Sequence, residues 1–174
     1  NAEALVPLLR ERGQQIEVLR RLPLDVVQEL RRAGVFRMPM PTSWGGPEMG
    51  FVDQLRVIEV LSEADPSTGW CVMIGSDSGF YSAFFDDDVA REIWPDLDMV
   101  TAGWQFPGGR ATSVDGGYRV TGHWSFGSGC THADVIVGSC LVVDDAGAPV
   151  VGEHGPKLRV IVAPASSFQI LDNW

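Results

Sequence analysis

The chain of 174 residues carries 23 acidic side chains against 13 lysines and arginines, a net charge of −10 with a pI near 4.6. That balance excludes a general basic surface for nucleic acid or anionic membrane. At 45% apolar and 21% charged residues disorder is excluded as well, and the length suffices for one ordinary domain or two small packed modules.

Leu5, Leu8, Leu9, Ile16 and Leu19 predict an amphipathic helix from about Ala2 to Arg21. Pro23 opens a second helix through Val26, Val27 and Leu30, which Gly34 closes. Arg10, Arg12, Arg20, Arg21, Arg31 and Arg32 recur beside glutamates and read as solvated helix faces. Residues 37–50 hold prolines and glycines in the density of a loop. Val52, Leu55, Ile58, Leu61 and Ala64 mark a third helix, and Asp65-Pro66 caps a fourth. From Thr68 to Phe85 Asp77 is the one charged residue, which predicts a helix buried on most sides. A short helix from Asp86 through Trp94 ends at Pro95.

Strands follow from about Met99. Asp115-Gly116 signals a hairpin, Val135 to Val143 a buried strand, and Leu158 to Ala163 and Phe168 to Leu171 further strands. Helices first and strands second give an α+β order, with a helical domain at 1–97 and an incomplete β-domain at 98–174. Tyr118, Val120, Gly122, Trp124 and Phe126 keep a period of two, so one strand face carries them all, before side chains shrink at Gly127, Ser128 and Gly129. There the backbone and the Ser128 hydroxyl suit a flat ligand.

Several chemistries are weak or missing. No dinucleotide glycine fingerprint and no phosphate loop occurs. Cys130, His132 and Cys140 supply three potential zinc ligands without a fourth, so no metal is expected. Ser128, Cys130 and His132 lie close in sequence but lack an evident orienting acid beyond Asp134. Cys71, Cys130 and Cys140 suit reduced thiols, and Arg10, Glu11 and Arg12 break the first apolar run, so a cytoplasmic protein with no signal peptide or membrane span is expected. Of six tryptophans, Trp70, Trp94, Trp104, Trp124 and Trp174 read chiefly as core, with room for one or two at a pocket.

The element order, with Leu30-Arg31-Arg32-Ala33-Gly34-Val35-Phe36-Arg37, Trp44-Gly45-Gly46, Ser67-Thr68-Gly69-Trp70 and Ala90-Arg91-Glu92-Ile93-Trp94, resembles the acyl-CoA dehydrogenase superfamily. Dehydrogenases of that superfamily carry Gly-x-Lys-x-aromatic-Ile-Ser/Thr-Asn. Gly122, Phe126 and Ser128 fall on those places, while Trp124 replaces the lysine and Gly129 the asparagine. Gly-x-Trp-x-Phe-x-Ser-Gly-Cys-x-His-Ala-Asp is similar to the two-component flavin-dependent monooxygenase branch, as is Pro107-Gly108-Gly109-Arg110-Ala111.

The resemblance implies a barrel- or sandwich-like middle β-domain and, in relatives about twice this length, a C-terminal helical bundle that builds a tetramer and supplies a further base. It implies reduced flavin (FMNH2 or FADH2) from a separate reductase, and O2 taken up as a C4a-hydroperoxide in a dry pocket. Ser128 would pair with flavin N5, Gln105 with the ring's polar edge, and Trp124, Phe126 and Gly129 would flank the cofactor. Ser78 and Trp104 would face the small-molecule substrate: an aromatic, a polyketide-like ring or an amine. Ser78 stands where many phenol-hydroxylating relatives carry histidine, a departure that bears on phenolic substrates. His132 takes a structural role. Alternative readings are an acyl-CoA dehydrogenase-like enzyme and a non-catalytic assembly module.

Overall fold

The computed structural model describes residues 1–172; Trp174, a core candidate by composition, lies outside the described residues. Helices α1 (Ala2–Leu19), α2 (Leu24–Ala33), α3 (Phe51–Ala64), α4 (Pro66–Gly75), α5 (Ser78–Ser82) and α6 (Asp87–Ile93) come first. Gly34 ends α2 at φ 76°, a left-handed cap that glycine adopts without Cβ strain. Asp65 caps α4 by accepting the Thr68 amide at 2.7 Å, with Pro66 in the first turn where no amide donor is needed. Leu9, Ile16, Val26, Leu30, Phe36, Leu61 and Val72 form one core among these helices, and it includes Val100 at the entry to the sheet. No helix among the described residues is long and apolar enough to cross a membrane.

The apolar run 68–85 is not the single buried helix its composition predicts. It breaks at Ser76 and Asp77, and Trp70, Phe80 and Phe84 stay exposed at 53%, 54% and 70%. The break follows from packing. A Cβ on Gly75 would sit 2.7 Å from Phe36, and one on Gly79 would sit 2.6 Å from the Pro39 backbone. Small residues permit that approach and cost helix propensity.

Strands β1 (Thr101–Val114), β2 (Gly117–Gly122), β3 (Val135–Val143) and β6 (Leu158–Pro164) form a mixed sheet in the order β2-β1-β3-β6, with β4 (Val151–Gly152) and β5 (Gly155–Pro156) a separate small hairpin. β1 and β2 close across Asp115-Gly116, with Val114 opposite Gly117 and Gly116 at φ 77°. β3 is flanked by β1 in parallel and β6 antiparallel, and its nearly unbroken burial matches its apolar run. Phe168 to Leu171 is not a strand. A short turn at Ala165–Ser167 ends β6, and the Phe168 ring then packs on Trp124 at 5.8 Å.

Two polar seams fasten the helices to the sheet. Asp134 Oδ2 accepts from Arg31 Nη2 and from the Val100 amide, each at 2.7 Å, while Arg31 also donates to the Asp98 carbonyl. Arg31 is therefore a tie between α2 and β3, not the solvated charge its helical spacing predicts. The second seam is buried: Ser78 Oγ donates to the Met99 carbonyl at 2.9 Å and accepts from Thr101 Oγ1 at 2.8 Å, and Trp94 Nε1 donates to the same Thr101 oxygen. Each hydroxyl in that chain is satisfied, which makes its burial tolerable.

Candidate functional site

The pairing of β1 with β3 is regular to Trp104↔Gly138 and resumes at Gly109↔Cys140, so residues 105–108 leave the ladder as a bulge. Bulges re-aim side chains, and this one pushes Gln105 and Phe106 outward. Across from it the chain after β2 turns sharply, with Phe126 at φ 61° and Gly129 at φ 77°. A left-handed phenylalanine costs about 1 kcal/mol or more and persists only where surroundings fix it. The outcome is an aromatic ledge: Trp104 lies 5.7 Å from Phe106 and 5.9 Å from Phe126, and the latter two rings are 73% and 63% exposed.

Polar groups edge this ledge. Trp70 Nε1 on α4 donates to Ser128 Oγ at 2.8 Å. A hydroxyl has two lone pairs and one proton, so after that bond Ser128 keeps one acceptor and its donor for a ligand. Burial raises the Tyr81 pKa on α5, and the Gln105 side chain acts in the opposite direction. One turn back, burial alone pushes the Asp77 carboxyl up to about 6. A flat, largely apolar ring system with a hydrogen-bonding edge fits this arrangement, as the isoalloxazine of a flavin requires.

Two expected site residues stand elsewhere. The period of two does not reach Trp124 and Phe126, since β2 ends at Gly122 and Phe126 is left-handed; Phe126 packs on Trp104 and Trp124 on Phe168. The Trp124 indole instead lies where Cβ atoms on Gly109, Gly122 and Gly138 would come within 2.5, 2.6 and 2.8 Å of it, and its Nε1 donates to the Ser139 carbonyl at 2.9 Å. Ser78 is fully buried with its hydroxyl committed to Met99 and Thr101, so it presents nothing to a substrate. Gly129 supplies the turn itself. Trp70, which composition assigns to the core, is the residue the sequence reading missed; its contact crosses from α4 to the turn, and no local pattern signals it.

Burial holds the thiols in their neutral form. Cys71 is pushed up to about 11 by burial and the nearby Asp65, and burial raises Cys130 as well. Neither ring nitrogen of His132 has a hydrogen-bond partner among the described residues, so it does not activate Ser128. No group of three His, Cys, Asp or Glu among the described residues is placed to hold a metal ion. Burial, reinforced by Arg31, lowers the His132 pKa to about 4, so the ring is neutral in the fold at pH 7. The unfolded chain takes up that proton near pH 6.5. Stability is thus full above pH 6.5 and falls by up to roughly 3 kcal/mol as pH drops toward 4. In urea titrations at pH 7.5 and pH 5, His132→Gln is expected to lose about 1–2 kcal/mol less than the parent across that interval.

Comparison with known proteins agrees with the fold. The family described as acyl-CoA dehydrogenase, N-terminal domain matches residues 3–96. The chain is 34% identical over 174 residues to a flavin-dependent monooxygenase, oxygenase subunit HsaA, from Rhodococcus jostii (strain RHA1), covering 99% of this chain and 44% of that protein. It is 31% identical to the oxygenase component of an FADH(2)-dependent resorcinol hydroxylase from Rhizobium sp. (strain MTP-10005), covering 96% and 40%. Among solved structures, XiaF from Streptomyces sp. in complex with FADH2 and glycerol superposes with a TM-score of 0.86 at 28% identity, covering 98% of this chain and 42% of that one. The chain thus spans under half the length of these relatives. With its helical region followed by a curled mixed sheet, the chain belongs to the acyl-CoA dehydrogenase family, and its relatives are oxygenase subunits of two-component flavin-dependent monooxygenases.

Proposed function

We propose that this chain forms the reduced-flavin and substrate wall of an oxygenase component that hydroxylates a small aromatic compound, using FMNH2 or FADH2 delivered by a separate reductase. The observation that carries the reading is the ledge of Trp104, Phe106 and Phe126 edged by Ser128, in a chain whose relatives are oxygenase subunits. Bound reduced flavin supplies two electrons to O2, so that one oxygen atom enters the substrate and the other leaves as water.

The residues described here bind and shield. Phe126 and Trp104 cover the flat face of the ring and keep water from it. Ser128, held by Trp70, offers its remaining lone pair and proton to the ring's reactive edge. Gln105, exposed on the β1 bulge, would pair with the polar edge.

The test is to load the full-length protein with reduced flavin, mix it with 18O2 and a panel of phenol, indole, 4-propylphenol and tyramine, and measure product and peroxide. Labelled hydroxylated product with little hydrogen peroxide is expected. Peroxide equal to the flavin supplied with no labelled product overturns the reading. Anaerobic reduction of its oxidised flavin by an acyl-CoA points instead to a dehydrogenase.

A further inference from the structure

We propose that His132 is a positioning residue: packed against the turn that carries Ser128, its neutral ring holds Ser128 at Trp70, and its protonation frees the turn. The inference rests on the reading of Ser128 above and adds to it the group that keeps that hydroxyl in place.

Contacts on the turn fix the ring there. Residues 126–132 form overlapping tight turns, in which the Ser128 amide donates to the Phe126 carbonyl at 2.9 Å, Cys130 to Gly127 at 3.0 Å and His132 to Gly129 at 3.0 Å. Gly129 is left-handed at φ 77°, and a Cβ on it would sit 3.4 Å from His132 Nε2 and 3.5 Å from Cε1. The edge of the imidazole therefore lies against the backbone one residue beyond Ser128. Ser128 itself is tied to α4, its Oγ accepting from Trp70 Nε1 at 2.8 Å. A shift of Gly129 away from the ring moves its neighbour Ser128 and breaks that tie.

Packing does not account for a histidine at this place. His132 is 8% exposed, and neither Nδ1 nor Nε2 has a hydrogen-bond partner among the described residues. A leucine or phenylalanine fills such a space without burying two unpaired nitrogens. What the imidazole adds is a charge that depends on pH.

The closed turn rejects that charge. An imidazolium carries two N–H donors, and neither nitrogen has a partner to receive one. The charged groups facing the ring are Arg31 from α2 and Asp134 at the entry to β3, already paired with each other at 2.7 Å, while burial keeps the Cys130 thiol of the turn neutral. Burial, then Arg31, outweigh Asp134 and lower the ring's pKa to about 4. Opened to water, the ring returns toward 6.5. The open turn thus binds the proton more tightly than the closed one, so acid favours opening, by about tenfold between pH 7.5 and pH 5.5.

Hydrogen exchange read by mass spectrometry on the full-length protein tests this, with a peptide spanning 126–134 compared with one from the core of α1 and rates corrected for their intrinsic pH dependence. Product and peroxide per reduced flavin are measured over the same interval. The turn is expected to exchange ahead of α1, its opening to rise about tenfold toward pH 5.5, and product yield to fall as peroxide rises. His132→Leu and His132→Gln, neither of which titrates, should flatten both readouts. In Ser128→Ala the yield should lose its pH dependence while the exchange keeps it. Turn exchange that is independent of pH in the parent, that keeps its pH dependence in either His132 variant, or that coincides with α1 overturns the assignment. The two readings fail separately. A His132-dependent opening without oxygen insertion removes the oxygenase and leaves His132 holding the turn, whereas oxygen insertion with a pH-independent turn removes His132 and leaves the oxygenase.

Discussion

Ser128→Ala is expected to cut the yield of hydroxylated product per reduced flavin about tenfold or more, with hydrogen peroxide making up the difference. The magnitude is that of one hydrogen bond to a reacting group, roughly 1.5–3 kcal/mol, where each 1.4 kcal/mol is a factor of ten. The fold should hardly notice. The Trp70 indole that loses its acceptor is half exposed and turns to water, so thermal stability should shift by less than about 1 kcal/mol. Ser128→Thr, which restores the hydroxyl, should recover most of the yield. Parallel peroxide and product assays on the three proteins decide the matter: an Ala variant with parental yield takes Ser128 away from the reactive edge.

Trp124→Ala should produce the opposite profile, a large loss of stability and a smaller direct effect on coupling. The indole fills the space left by Gly108, Gly109, Gly122 and Gly138 and satisfies the Ser139 carbonyl. Removing a large aromatic side chain from such a site costs about 3–5 kcal/mol, reduced here toward the lower figure because the ring is half-buried. In a chain of this length that corresponds to a fall in Tm of roughly 10 °C. Trp124→Phe should lose about 1–2 kcal/mol less, since the ring volume is mostly kept while the hydrogen bond is not. Denaturant unfolding of both variants measures it. A loss below 1 kcal/mol for Trp124→Ala would show that the glycines are not there to admit the indole.

These contrasting profiles mark where sequence logic reached and where it stopped. Local signals were readable: Asp65-Pro66 as a cap, Gly34 as a stop, Asp115-Gly116 as a two-residue turn, and Val135–Val143 as a strand buried along nearly its whole length. Each depends on residues a few positions apart. Strand periodicity does not extend to Trp124 and Phe126 because β2 ends at Gly122 and Phe126 then adopts a left-handed backbone, a conformation phenylalanine gives no warning of. Thr68 to Phe85 misled for a related reason. Glycines at 75 and 79 answer to the backbone at 36–40, a contact from outside the segment, and Trp70 answers to Ser128. Resemblance proposes Ser128, Phe126 and Gln105 for one site; it could not foresee the Ser78 hydroxyl bonded to Met99 and Thr101.

The parallel pairing of β1 with β3 also sets an order of events during folding. The β1–β2 hairpin closes across two residues, on the microsecond scale of hairpins. Thr101 can meet Val135 only after everything between them has been gathered in, which is a slower, entropically dearer closure. The Phe126–Gly129 turn lies in that segment but outside the hairpin, and its contact with Trp70 joins the sheet end to α4, so we expect it to be shaped with the late closure. Substitutions in it should leave the folding rate nearly untouched and express their cost as faster unfolding, so this turn is a part of the molecule whose lifetime, and not its rate of formation, evolution can adjust freely.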